Sequence, residues 1–146
     1  MTNKEFMKRA FEIDRRLKAR RRRLEYLRSR IEATSPQVIG IPKSSPIVSS
    51  VMEEQAVRIL DLEMCIQKDE RDLSKTRKEI KDAIDAIGNE TLSTILQMRY
   101  LDYMSWEDIM ASLDYCRSYL YELHGRALKL IQQQQYLFSD TNDLFF

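Results

Sequence analysis

Two thiols and one imidazole are the side chains of this 146-residue chain best suited to nucleophilic or acid–base chemistry at neutral pH, and their spacing assembles none. Cys65 and Cys116 lie far apart and outside any C-x-x-C context, and His124 stands alone, so no metal site follows. Cys65, between Met64 and Ile66, reads as a small buried hydrophobe. The acid pairs Glu53 and Glu54, Asp69 and Glu70, and Glu107 and Asp108 are each adjacent in sequence. Neighbouring helical residues point apart and make no general acid–base pair. With no Gly-rich phosphate loop and no nucleophile elbow, the expectation is a protein that is not an enzyme. No cofactor, no metal and no small-molecule substrate are expected.

What remains is the chemistry of recognition, concentrated in Arg117, Ser118, Tyr121 and Glu122. Three short helical patterns are needed to position them. Asn89 or Thr91 caps a first, whose apolar residues Leu92, Ile95, Leu96 and Leu101 recur at helical intervals. Ser105 caps a second: its hydroxyl suits the free amides of the next turn, and Glu107 and Asp108 sit in the positive field of the helix start. That helix buries Trp106, Ile109, Met110 and Leu113 and stops near Asp114 and Tyr115. A third runs from Arg117 to about Gln135 and turns Leu120, Leu123, Ala127, Leu128 and Ile131 inward. His124, beside this stripe, is expected to pack or to meet a phosphate. The turn between the second and third helices has the length of a helix-turn-helix, which makes double-stranded DNA the leading partner. Arg117 would offer guanine a two-pronged donor, Glu122 would accept from a cytosine amine, and Ser118 and Tyr121 would complete the base contacts. Ser105, Arg126 and Lys129 would meet the DNA backbone.

The run from Ser105 to Ile131, SWEDIMASLDYCRSYLYELHGRALKLI, resembles region 4 of sigma-70-type factors. The chain is most similar to the small sigma-like regulators of phages and prophages of Gram-positive bacteria, the RinA- and ArpU-like late regulators and relatives of unassigned function. Arg99-Tyr100-Leu101, Ser105-Trp106 and Leu123-His124-Gly125-Arg126-Ala127-Leu128 carry the likeness. A basic first helix, a loop with Pro and Ser, and a charged helix around Ile59–Glu63 extend it weakly toward the N-terminus. It departs at Cys116, where a capping Ser is common, and at Glu122, where Arg or Gln is frequent. The resemblance implies promoter recognition that switches on phage genes, late ones in the best-matching group, with RNA polymerase as a candidate second partner.

Charge is strongly segregated. Residues 1–33 carry twelve Lys or Arg against five Asp or Glu, whereas residues 50–87 carry seven against ten and residues 88–138 four against six. A DNA-reading head of net negative charge lacks the phosphate attraction that supplies most non-specific affinity. Arg20, Arg21, Arg22 and Arg23 offer a nucleic-acid or partner surface instead, or they pair with the acidic second helix. Two further readings stay open: a coiled-coil adaptor that binds RNA polymerase or another regulator without reading DNA, and an RNA binder acting through the first helix.

An all-α fold follows, with no alternating β-branched runs. Residues 1–87 read as a long coiled-coil-like helical hairpin, 88–138 as a three-helix, sigma region-4-like helix-turn-helix bundle, and 139–146 as an apolar tail. Phe6, Ala10, Ile13, Leu17, Leu24, Leu27 and Ile31 line the first helix with Arg20 the single polar member of the row. Met52, Ile59, Ile66, Leu73, Ile80 and Ile87 repeat every seventh residue in the second. Such seams demand a partner, either the other helix or a second copy in a homodimer, and Arg20, Glu63, Glu70 and Arg77 are the polar residues expected to set register. All three prolines, Pro36, Pro42 and Pro46, fall in the loop at 34–49, whose Val38, Ile39, Ile41, Ile47 and Val48 are expected to fold back on the hairpin. Tyr136, Leu137, Phe138 and Leu144–Phe146 are expected to dock on the bundle. No run approaches the length of a membrane span and no apolar segment follows the basic N-terminus, so the expected location is cytoplasmic.

Overall fold

The structure, a computed structural model, describes the backbone of residues 1–33 and 46–143 and the side chains of residues 1–33 and 50–131. Every regular element among them is helical: α1 (Asn3–Ala33), α2 (Pro46–Asp85), α3 (Glu90–Leu96), α4 (Trp106–Leu113) and α5 (Arg117–Asp143), with a π-helical turn at Gln97–Leu101. The all-α reading therefore stands. Proline at the first position of α2 suits a helix start, because its fixed φ is helical and its missing N–H would be unpaired there anyway. Consequently residues 46–49, expected to be loop, are helical. The fold-back of Val38, Ile39, Ile41, Ile47 and Val48 and the docking of the C-terminal aromatic residues lie outside the described side chains. None of the described helices is long and apolar enough to cross a membrane.

The helices divide into two compact units. In the unit spanning Ile13–Asp72, segments of α1 and α2 run antiparallel, as their ion pairs show. Arg28 meets Glu63 at 2.6 Å, Arg21 meets Glu70 at 2.9 Å, and Arg16 and Arg20 converge on Asp69, Arg16 Nη2 at 2.9 Å from Oδ1. Asp69 is 1% exposed, and Leu17 and Ile66 are its buried apolar companions in this unit. Burial pushes the Asp69 carboxyl up, but the hydrogen bonds and charges of Arg16 and Arg20 outweigh it and hold it below the usual carboxylate range. The polar residue in the α1 row, Arg20, thus has its partner. The second inward row of α2 is Leu62, Asp69 and Thr76, one residue before the expected Glu63, Glu70 and Arg77. Glu63 and Glu70 flank the seam as partners of arginines. Cys65 belongs to neither inward row and is exposed, not buried as its apolar neighbours suggested.

The other unit joins Met1–Glu12 to the chain from Leu73 onward. Its core brings Met7 and Ala10 of α1 and Ile80 and Ile84 of α2 together with Leu92, Ile95, Leu96, Tyr100, Leu101, Ile109, Leu120, Leu123, Ala127 and Ile131. The bundle of α3, α4 and α5 is therefore completed by the first turns of α1 and the last turns of α2. Asn3 Nδ2 donates to the Leu128 carbonyl at 2.8 Å, and Arg9 pairs with Glu79 at 3.3 Å. Gly88 at φ 75° reverses the chain between α2 and α3 in a conformation that favours glycine. Asn89 caps α3 by accepting from the Leu92 amide at 3.2 Å, as the sequence signals indicate.

Candidate nucleic-acid interface

Helix α4 starts where its sequence says it should. The Ser105 hydroxyl accepts from the Asp108 amide at 3.2 Å, and Glu107 and Asp108 occupy the first turn. The helix ends at Asp114, which adopts left-handed backbone (φ 57°, ψ 40°), tolerable for aspartate and well suited to closing a helix. Asp114, Tyr115 and Cys116 form the turn, and α5 begins at Arg117. Both α3 and α4 pack on α5.

That packing decides which side of α5 faces solvent. Leu120, Ala127 and Ile131 are fully buried, Leu123 and His124 nearly so, and Leu128 is half-buried. Arg117, Ser118, Tyr121, Glu122, Arg126 and Lys129 are exposed. The structure thus gathers the six polar α5 candidates on the outer side of one helix, with Ser105 half-buried at the start of α4. They are not all free. Arg117 Nη2 lies 3.4 Å from Glu107 Oε1, and Arg126 pairs with Glu122 one helical turn earlier at 2.6 Å. Tyr121 stands edge-on to Trp106 with ring centres 5.1 Å apart. Exposed pairs of this kind are worth little in water and exchange readily for a stronger anionic partner. The Ser105 oxygen is engaged as a cap, which leaves its O–H proton to donate. Cys116 is exposed and its Sγ lies 3.6 Å from the Ser118 hydroxyl, which lowers the thiol pKa from its ordinary value.

Beneath this surface is a polar cluster that sequence reasoning did not assemble. Tyr100 Oη and His124 Nε2 are 2.7 Å apart and buried. Burial pushes Tyr100 up to about 12 and, with help from Lys4 and Arg99, pushes His124 down to about 4. Near neutral pH the imidazole is therefore uncharged, and the tyrosine hydroxyl is the natural donor to its free nitrogen. The packing role expected of His124 fits this geometry, whereas a phosphate contact does not, because the ring is buried. Trp106 is the hub. The Arg99 guanidinium lies 4.7 Å from its ring centre while donating to the Met104 carbonyl at 2.9 Å, and the His124 ring meets its edge at 4.8 Å. The π-helical turn at Gln97–Leu101 lets this happen. Its wider spacing, closed by Asp102 N donating to Gln97 O at 3.0 Å, turns Tyr100 and Leu101 into the core together.

Arg77 pins the next loop. Its Nη1 donates to the Leu101 carbonyl at 3.0 Å and to the Tyr103 hydroxyl at 2.9 Å, with the guanidinium 5.6 Å from the Tyr103 ring centre. Tyr103 holds φ 58°, unfavourable for a bulky residue, and is also gripped edge-on by Phe11. Arg77, expected to set hairpin register, is instead the anchor of the loop that presents α4. Only its charge and position in α2 were visible in sequence; its partners lie beyond any local pattern.

Residues 53–132 match the family described as "Protein of unknown function (DUF1492)", and the match spans more than half of the chain. The chain belongs to the DUF1492 family. The matched segment contains most of α2, the Arg77 anchor, the Trp106 cluster and the buried stripe of α5 to Ile131, so the DUF1492 signature covers the frame together with the exposed side chains it carries. No curated protein and no solved structure matches the chain. Arg99, Tyr100, Trp106, His124 and Ala127 are all interior or half-interior residues. What they specify is the shape of the bundle, and the outward residues between them specify its surface.

Proposed function

We propose that this protein is a DNA-binding transcriptional regulator that inserts the start of α5 into the major groove. The observation that carries the reading is the division of α5: Arg117, Ser118, Tyr121 and Glu122 lie outside, over a sealed core, at the start of a helix that follows a capped short helix and a three-residue turn. A helix so supported presents its first two turns to base edges, and Arg117 supplies the side chain best matched to guanine. Ser105, Arg126 and Lys129 are the phosphate contacts. The likeness to phage sigma-like regulators extends this to promoter recognition and activation of phage genes, late ones included, with RNA polymerase as a second partner.

Selection of bound duplexes from a random library with the full chain tests the reading. Arg117→Ala is expected to weaken binding to the selected sequence by about 1 to 3 kcal/mol and to relax preference at one base. Recovery of no sequence preference by the unsubstituted chain would refute groove reading.

A second reading draws on the surface charge of the head. Residues 88–138 hold six carboxylates against four cations, and Arg117 and Arg126 each already face one of those carboxylates. An adaptor that engages RNA polymerase or another regulator without touching DNA would have such a surface. It predicts no affinity for duplex and no dependence of log affinity on log salt from phosphate neutralisation.

A further inference from the structure

The arginines crowded into α1 are not equivalent. Arg16 and Arg20 are committed to Asp69, Arg21 to Glu70, Arg28 to Glu63, and Lys18 to Asp14 on its own helix at 2.8 Å. Arg15, Arg22 and Arg23 are exposed and meet no carboxylate among the described residues. Arg15 and Arg22 are seven residues apart, about 10 Å along one helical face, with Lys18 between them and Tyr26, 58% exposed, one turn further on. Arg15, Arg22 and Arg23 thus add no ion pair to the hairpin, and its own stability does not account for them. The paired arginines explain the hairpin and the unpaired ones do not.

We propose that Arg15, Lys18, Arg22 and Arg23 form a second, sequence-independent binding surface for the phosphate backbone of duplex DNA. That the partner is duplex DNA rests on the reading of α5 as a DNA-reading helix. Duplex DNA presents a negative charge about every 1.7 Å of its axis, so a basic row about 10 Å long faces several phosphates at once. The surface supplies the attraction that the acidic head lacks, and its energy comes from counterion release instead of base contact. A lipid surface is the poorer match. A helix lying in a bilayer interface needs an apolar face directed at lipid, and the apolar row of this segment, Leu17, Leu24 and Leu27, is turned inward in the hairpin.

The test is a salt titration of the full chain against two duplexes, one carrying the selected sequence and one random. The variant is Arg15→Gln combined with Arg22→Gln and Arg23→Gln, all exposed sites at which glutamine keeps helix propensity; the matching triple Lys substitution is the charge-retaining control. The Gln variant is expected to reduce the log–log salt slope by about two to three on both duplexes, near 0.9 for each phosphate that is no longer neutralised, with the Lys control unchanged. Sequence preference reports on Arg117 and the salt slope reports on α1, so the two ideas fail separately. Sequence preference with an unaltered slope in the Gln variant overturns the α1 surface while α5 stands. A slope that falls in the Gln variant without any sequence preference supports the α1 surface and refutes base reading. Absence of duplex binding overturns both, and tighter binding to single-stranded RNA or to anionic phosphatidylserine vesicles than to duplex overturns the assignment to DNA.

Discussion

Acid should weaken the C-terminal head through one imidazole. His124 is 9% exposed, bonded to Tyr100 and packed against Trp106, and its pKa is depressed to about 4 by burial first and by the charges of Lys4 and Arg99 next. A base with a lowered native pKa binds its proton more readily in the unfolded chain. Between the unfolded value of about 6.5 and the native value the unfolded state therefore carries more protons, and stability falls as pH drops through that window. Above it the contribution is fully present, and below the native value the loss is complete. At about 1.4 kcal/mol per pH unit, the displacement amounts to about 3 kcal/mol, a large share of the stability of a small domain. The perturbation is His124→Gln, which does not titrate yet keeps an acceptor for the Tyr100 hydroxyl. Urea unfolding at about pH 7 and about pH 4 should show the original chain losing about 3 kcal/mol more than the variant, since the carboxylates contribute alike to both. Parallel losses in the two chains would refute the claim that His124 is held neutral by burial.

Two predictions concern stability, one in each compact unit. Asp69→Asn keeps size and one acceptor but removes the charge on which Arg16 and Arg20 converge. Because those side chains are 49% and 34% exposed and can rehydrate, the expected loss is about 1 to 3 kcal/mol, below the figure for breaking a fully buried pair, measured by denaturant unfolding. Gly125 lies inside α5 with nothing within 4 Å of where a Cβ would stand. Gly125→Ala should accordingly raise stability by about 0.5 to 1 kcal/mol through helix propensity and reduced unfolded-state freedom; a lower thermal midpoint would mean that the helix needs the glycine.

Local signals determined where α3 and α4 begin and where α4 ends, but not the start of α2 at Pro46 or the end of α5, which runs to Asp143 instead of about Gln135. Asn89 and Ser105 cap the helices they were expected to cap, Asp114 closes α4 as its position suggested, and the spacing of Leu120, Leu123, Ala127 and Ile131 already showed which side of α5 turns inward. These are short-range signals, in which a side chain bonds an amide three residues away or a stripe repeats every turn. Tertiary structure alone decided the rest. Asp69 looks like any acid of a charged helix until Arg16 and Arg20 arrive from α1; Arg77 looks like a hairpin residue until the Leu101 carbonyl and Tyr103 come within its reach; Met7 and Ala10 join a core built mainly from the other end of the chain. The burial of the adjacent Tyr100 and Leu101 likewise goes with a π-helical turn that no periodicity in the sequence marked. Contacts between residues distant in sequence have no periodicity of their own, so a residue's spacing announces its face of a helix, and only the folded chain supplies what that face meets.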